Sequence, residues 1–157
     1  MPMGNAAESN APSLFTGTKI MRIAAHATIV TAGVAGLLGS ALAADMTGAD
    51  VKAFLSGKTV YLETTAASAA GQAGQAAIYF AEDGAALFRT PAGTIMRGKW
   101  EIQGTANCTA WKERPDASAC VRYEKTADSV TVIDAASGQI RARIVKTAPG
   151  NAEQLPR

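Results

Sequence analysis

From Lys58 to Lys146 the chain is divided by turn residues into short segments, and this division limits the folds open to it. Lys58–Glu63 alternates and is partly β-branched or aromatic. Ala76–Ala81 carries Ile78, Tyr79 and Phe80, and Asp83-Gly84 then supplies the strongest short hairpin signal in the chain. Ala85–Thr90 leads to a turn at Pro91-Ala92-Gly93. In Thr94–Gln103, Met96, Trp100 and Ile102 alternate with Arg97, Lys99, Glu101 and Gln103, giving one apolar and one polar face. Cys108–Glu113 and Ala119–Lys125 flank a Pro115-Asp116 turn. Val130–Asp134 and Gln139–Lys146 are joined through Ser137-Gly138, with Ile140, Ala142 and Ile144 on one face and Arg141 and Arg143 on the other.

Segments so short and so regularly spaced predict a mainly β protein with seven or eight antiparallel strands in a meander. Curling into a small barrel or half-barrel removes exposed strand edges; a β-sandwich is the competing architecture. One short helix precedes the strands. Thr47 caps it, Asp50 completes a capping box, Val51, Phe54 and Leu55 share a face, and Gly57 ends it. The low-complexity stretch TTAASAAGQAGQ, Thr64–Gln75, reads as a mobile loop between the first two strands.

The chain before the helix has a different character. Lys19 and Arg22 precede a charge-free apolar run, Ile23–Leu42, which closes on Ala41-Leu42-Ala43. A positive start, an apolar middle and small residues at the end are the plan of a secretory signal peptide. The expected organisation is therefore a non-structural extension over 1–20, a signal peptide over 21–43, one barrel-like domain over 44–146 and a loosely docked, flexible tail over 147–157. Retention of the run as a membrane anchor is the alternative; cleavage leaves 114 residues and no membrane segment. The expected location is the periplasm or the exterior.

Export determines how Cys108 and Cys120 are read. In an oxidising compartment two cysteines most simply form one disulfide, and their spacing is not the C-x-x-C of a redox motif. The one histidine, His26, falls inside the signal segment, so the mature chain has no imidazole for a metal site or for acid–base catalysis. Neither metal nor cofactor is expected. The net charge of +2, with 15 Lys and Arg against 13 Asp and Glu, is too small and dispersed for a nucleic-acid surface.

Other fragments carry little chemistry. Gly57-Lys58-Thr59 matches the end of a phosphate-binding loop, but Lys52 stands where that loop needs glycine, and the helix precedes the motif. Asn107-Cys108-Thr109 fits a glycosylation acceptor. Ser56 and Lys58 flank a helix stop, where a cap-region role explains the serine better than a nucleophile does. The acidic pairs Glu82-Asp83 and Glu113…Asp116 fall at turns.

Aromatics give the better route to function. Tyr61, Tyr79, Trp100, Trp111 and Tyr123 are spread one per strand, as if to line a small barrel. They either fill the interior or border a pocket, and Tyr79, Trp100, Trp111 and Tyr123 are the candidate ligand-binding residues. The leading expectation is a non-enzymatic barrel that binds a small apolar molecule or a protein partner. An inhibitor of a secreted protease or lysozyme is the alternative. A carboxylate-dependent hydrolase is the third reading, and it requires two acidic groups in one pocket about 5 to 9 Å apart. Asp83, Asp116 and Asp134 at separate hairpin tips would remove it.

The ordered elements TGADVKAFLSGKTVY, IYFAEDG, RGKWEI, C-T-A-W, C-V-R-Y and QIRARIVK resemble a group of small exported proteobacterial proteins of unknown function. The resemblance spans nearly all of the mature chain. It implies a lipocalin-like or avidin-like barrel and no particular activity. Gly98-Lys99-Trp100 is similar to the G-x-W element of lipocalins, which lies on their first strand and here lies mid-chain.

Overall fold

Turn glycines and alternating apolar positions close the chain into a ring of strands. The computed structural model describes residues 43–157; His26, the extension over 1–20 and the expected signal peptide, save its last residue, lie outside them. A two-residue strand β1 (Ala44–Asp45) and helix α1 (Gly48–Leu55) precede β2 (Lys58–Thr64), β3 (Gly74–Phe80), β4 (Ala85–Arg89), β5 (Ile95–Gln103), β6 (Ala106–Trp111), β7 (Ala119–Lys125), β8 (Val130–Asp134) and β9 (Ile140–Pro149). Every pairing is antiparallel. The strands run in the order β1-β7-β6-β5-β4-β3-β2-β9-β8, and β7 also pairs with β8, so β2 to β9 form a closed eight-stranded barrel. The barrel form is the one realised.

β1 is the extra strand. It pairs with β7 at Lys125 and Glu124, beyond the Asn107–Thr109 stretch where β6 holds the same strand. Asp45 then meets Arg122 at 2.7 Å.

Helix α1 covers one end of the barrel. The Thr47 hydroxyl accepts from the Asp50 N–H while the Asp50 carboxylate accepts from the Thr47 N–H, forming the expected capping box. Val51 and Leu55 are fully buried and join the core. Gly48 lets the helix start lie on the β5–β6 turn, since a Cβ there would come 2.1 Å from the Gly104 carbonyl oxygen. Burying Val51 and Leu55 contributes on the order of 1.5 to 3 kcal/mol each.

The C-terminal segment is docked, and the expectation of a loose tail over 147–157 is corrected. β9 continues past Lys146, with Thr147, Ala148 and Pro149 registered against Val60, Thr59 and Lys58. Buried Thr59 then fastens the chain that follows: its hydroxyl donates to the Gly150 carbonyl at 2.7 Å and accepts from the Ala152 N–H at 3.0 Å. Leu155 is buried, Glu153 pairs with Arg89 at 2.6 Å, and Arg157 reaches Asp83 at 3.0 Å. No helix among the described residues is long and apolar enough to cross a membrane.

Candidate functional site

Strand parity decides which side chains meet inside the barrel. On β2 the inward positions are Val60, Leu62 and Thr64; on β3 they are Ala76, Ile78 and Phe80. Tyr61 and Tyr79 occupy the intervening positions and point outward, which corrects the expectation that they line the interior. Tyr61 instead lies under the Lys146 ammonium, 4.3 Å from its ring centre.

Trp100 faces inward into the core and is not among the residues that line the interior cavity. Its Nε1 donates to the Ala81 carbonyl at 2.8 Å, and its ring meets Phe80 edge to face at 5.4 Å. It is a satisfied core residue. Trp111 and Tyr123 are the two of the four candidates that border the interior space, so the structure divides that set in half.

That space is a cavity of about 70 Å³, set between the core layer of Phe80 and Phe88 and the barrel end opposite α1. One wall, from β2, β3 and β9, is mainly hydrocarbon, with Val60, Leu62, Ile78, Ala142 and Ile144 beside Thr64 and Arg141. The facing wall, from β6 and β7, brings polar atoms: Asn107, Thr109, the Trp111 indole and the Tyr123 hydroxyl. The β2–β3 loop lies over the open end, where Ser68 and Ala69 border the cavity. Turns stitch this loop in place: the Thr65 N–H donates to the Arg141 carbonyl, and the Thr64 hydroxyl donates to the Gln72 carbonyl.

Gly98 makes room for the Trp111 ring. It lies opposite Trp111 in the β5–β6 register, and a Cβ on Gly98 would stand 2.9 Å from the indole Cε3. Phe88 then packs on the same indole at 5.5 Å.

Several buried polar atoms at this cavity have no hydrogen-bond partner. They are Asn107 Oδ1, Trp111 Nε1 and Arg141 Nε, all on residues that line it. Such groups are normally satisfied, because an unmade buried hydrogen bond costs about 1 to 3 kcal/mol. Asn107 uses its other atom, Nδ2, to donate to Tyr123 Oη at 3.1 Å. Burial pushes the Tyr123 phenol up to about 12. It is therefore a protonated donor at neutral pH, with its own hydrogen still free for a third partner.

Arg141 enters the cavity through a bulge. The β8–β9 register shifts between Val132 and Ile133, so Val132 faces Ala142 while Ile133 faces Ile140. The bulge leaves Ile140 largely exposed and brings Arg141 against buried Asp134 at 2.6 Å, the reverse of the expected facing. Backbone and side-chain donation from Ser137, with the Arg141 guanidinium, holds the Asp134 carboxyl below the usual carboxylate range.

The disulfide forms between directly opposed residues of β6 and β7, Cys108 and Cys120, with Cα atoms 3.9 Å apart. It lies one position from inward Asn107 and Val121, so it clamps the wall that carries the polar atoms. A disulfide points to a compartment that does not reduce thiols. Asn107 itself is 1% exposed, which takes it out of consideration as a glycosylation acceptor.

The acidic residues do not converge. Asp83 stands at the β3–β4 turn with Arg157, Asp116 at the 3-10 turn Pro115–Ala117 with Arg114, and Asp134 at the end of β8 with Arg141. Each carboxylate pairs with a different arginine at a different turn, so these residues do not build the shared acidic pocket that the hydrolase reading requires. Among the described residues no group of three or more His, Cys, Asp or Glu is arranged to hold a metal ion.

Comparison of the chain with protein-family models, with curated proteins and with solved structures finds no match; the barrel architecture is shown by the structure, and no family is shown.

Proposed function

We propose that this protein is an exported binding protein whose barrel interior takes up a small, largely apolar molecule. The observation that carries this reading is the pairing of a hydrocarbon-walled cavity with buried, unpartnered polar atoms on its other wall. Recognition sites combine these features: apolar surface supplies affinity, and a few polar groups fix orientation. An eight-stranded barrel has an interior just wide enough to be filled by side chains or to hold one small ligand. Here the helix end is filled by Val51, Leu55 and Trp100, and the other end keeps the space. The apolar run over 23–42, ending at Ala41-Leu42-Ala43, and the disulfide both support export.

The test is protein-observed NMR with methyl-labelled protein and benzene or toluene as probes. Binding inside the barrel shifts the methyl signals of Val60, Leu62, Val132 and Ile144 in a saturable way. The absence of saturable shifts, or shifts confined to exposed Ile140 and Val145, overturns the proposal.

A further inference from the structure

We infer that the ligand of the interior site carries a hydroxyl group, which is bound by Asn107 and Tyr123 together; this rests on the interior-site reading above. Asn107 and Tyr123 are 1% and 3% exposed and border the same cavity. Between them one hydrogen bond is made, from Asn107 Nδ2 to Tyr123 Oη. Three capacities are left: the acceptor Oδ1 of Asn107, which has no partner, the second hydrogen of its Nδ2, and the phenolic hydrogen of Tyr123.

The Oδ1 acceptor and the phenolic donor, fixed on hydrogen-bonded neighbours, are the complement of a single group that both donates and accepts. A hydroxyl oxygen meets both at once, donating to Asn107 Oδ1 and accepting from Tyr123 Oη–H, and the three groups then close a ring of hydrogen bonds. An ether or ketone only accepts and leaves Oδ1 unmet. A carboxylate would bring an uncompensated charge against a hydrocarbon wall, because the cation that lines the cavity, Arg141, is already paired with Asp134 at 2.6 Å. Water also satisfies the pair, but leaves the rest of the apolar space unfilled. A hydroxyl on a hydrocarbon body does both.

Size narrows the class further. An apolar cavity of about 150 Å³ takes benzene, so a cavity of about 70 Å³ holds roughly three to five non-hydrogen atoms in its present shape. This fits a short-chain alcohol wholly inside and a phenol whose ring extends towards the open end under the β2–β3 loop, and it excludes a long acyl chain lying wholly inside. Trp111, on the same cavity, provides an optical signal for occupancy.

The experiment compares phenol with benzene, followed by ¹⁵N NMR of side-chain amides and by methyl shifts, in the wild-type protein and in Asn107→Leu and Tyr123→Phe. Wild type is expected to bind phenol at least tenfold more tightly than benzene. Phenol, and not benzene, is expected to move the Asn107 amide signal. Each variant should lose the preference while keeping its benzene affinity within about threefold, which also shows that the barrel is intact. Equal affinity of wild type for phenol and benzene overturns the hydroxyl assignment and leaves the interior site standing. Binding of neither overturns both. A phenol preference that survives in both variants, or phenol binding that leaves the Asn107 amide unmoved, places the hydroxyl elsewhere. Should Asn107→Leu fail to fold, Tyr123→Phe and the wild-type amide signal carry the same decision.

Discussion

Asn107 donates a hydrogen bond to Tyr123 across the β6–β7 wall, at 3.1 Å and shielded from solvent, while its own carbonyl oxygen is left without a partner. Loss of either side chain therefore affects packing and hydrogen bonding together. Cys108–Cys120, beside this pair on the outside of the barrel, holds the two strands in register.

Tyr123 sets an alkaline limit on stability. Its hydroxyl titrates near 10 in an unfolded chain and is pushed up to about 12 by burial in the fold. Stability from this group is fully present below pH of about 10 and falls as pH rises towards 12. Urea unfolding between pH 8 and 11.5 should show a decline in wild type that is shallower in Tyr123→Phe. Parallel declines would contradict the assignment.

Asp134 acts at the acid end. Donation from Ser137, then the Arg141 guanidinium, keeps its carboxyl below the ordinary range in the folded state. Its contribution is present above the unfolded value of about 3.9 and is lost as pH falls through the lower folded value. Asp134→Asn is expected to cost about 1 to 3 kcal/mol at neutral pH, with the difference from wild type shrinking towards pH 2. A pH-independent difference would show that shape rather than charge matters at this turn.

The disulfide joins residues 12 positions apart, and closing a loop of that length restricts the unfolded chain by about 3 kcal/mol. Replacing both cysteines with serine should lower the urea midpoint accordingly. Because the bridge backs the cavity wall, the double variant should also broaden the NMR signals of Asn107 and Val121. An unchanged midpoint would contradict this account of the bridge.

Leu155 tests the docked C-terminal segment. It is buried, and Asn151 exchanges two hydrogen bonds with its backbone, at 2.8 and 2.9 Å. Leu155→Ala should cost about 2 to 4 kcal/mol. A loss within about 0.5 kcal/mol, the range of ordinary surface changes, would mean that the segment does not hold the barrel.

Most of the fold was legible because it rests on local signals. Asp83-Gly84 and Pro91-Ala92-Gly93 mark turns whatever surrounds them, and the alternation of Met96, Trp100 and Ile102 identifies an inward face without a partner strand. The helix was legible for the same reason, through Thr47 and Asp50. The site was only half legible. Aromatic rings suit either face of a strand, so the sequence pattern alone groups Tyr79 with the interior residues, although Ala76, Ile78 and Phe80 hold the inward parity on its strand. Ile140 and Arg141 exchange faces because a bulge adds one residue to the count, and bulges leave no trace in a binary pattern. The acceptor of Asn107 matters only once its neighbours in space are known. The C-terminal segment depends on buried Thr59, 91 residues from Gly150, which no local pattern reveals.

Uptake of a small molecule requires that the barrel enclose an accessible apolar space. A crystal structure determined under xenon pressure tests it most directly, because xenon enters apolar cavities without requiring a polar group. The account predicts xenon density enclosed by Leu62, Phe88, Val132 and Ile144, within the cavity of about 70 Å³. Side chains filling that volume, or a continuous chain of ordered water with no xenon, would contradict it.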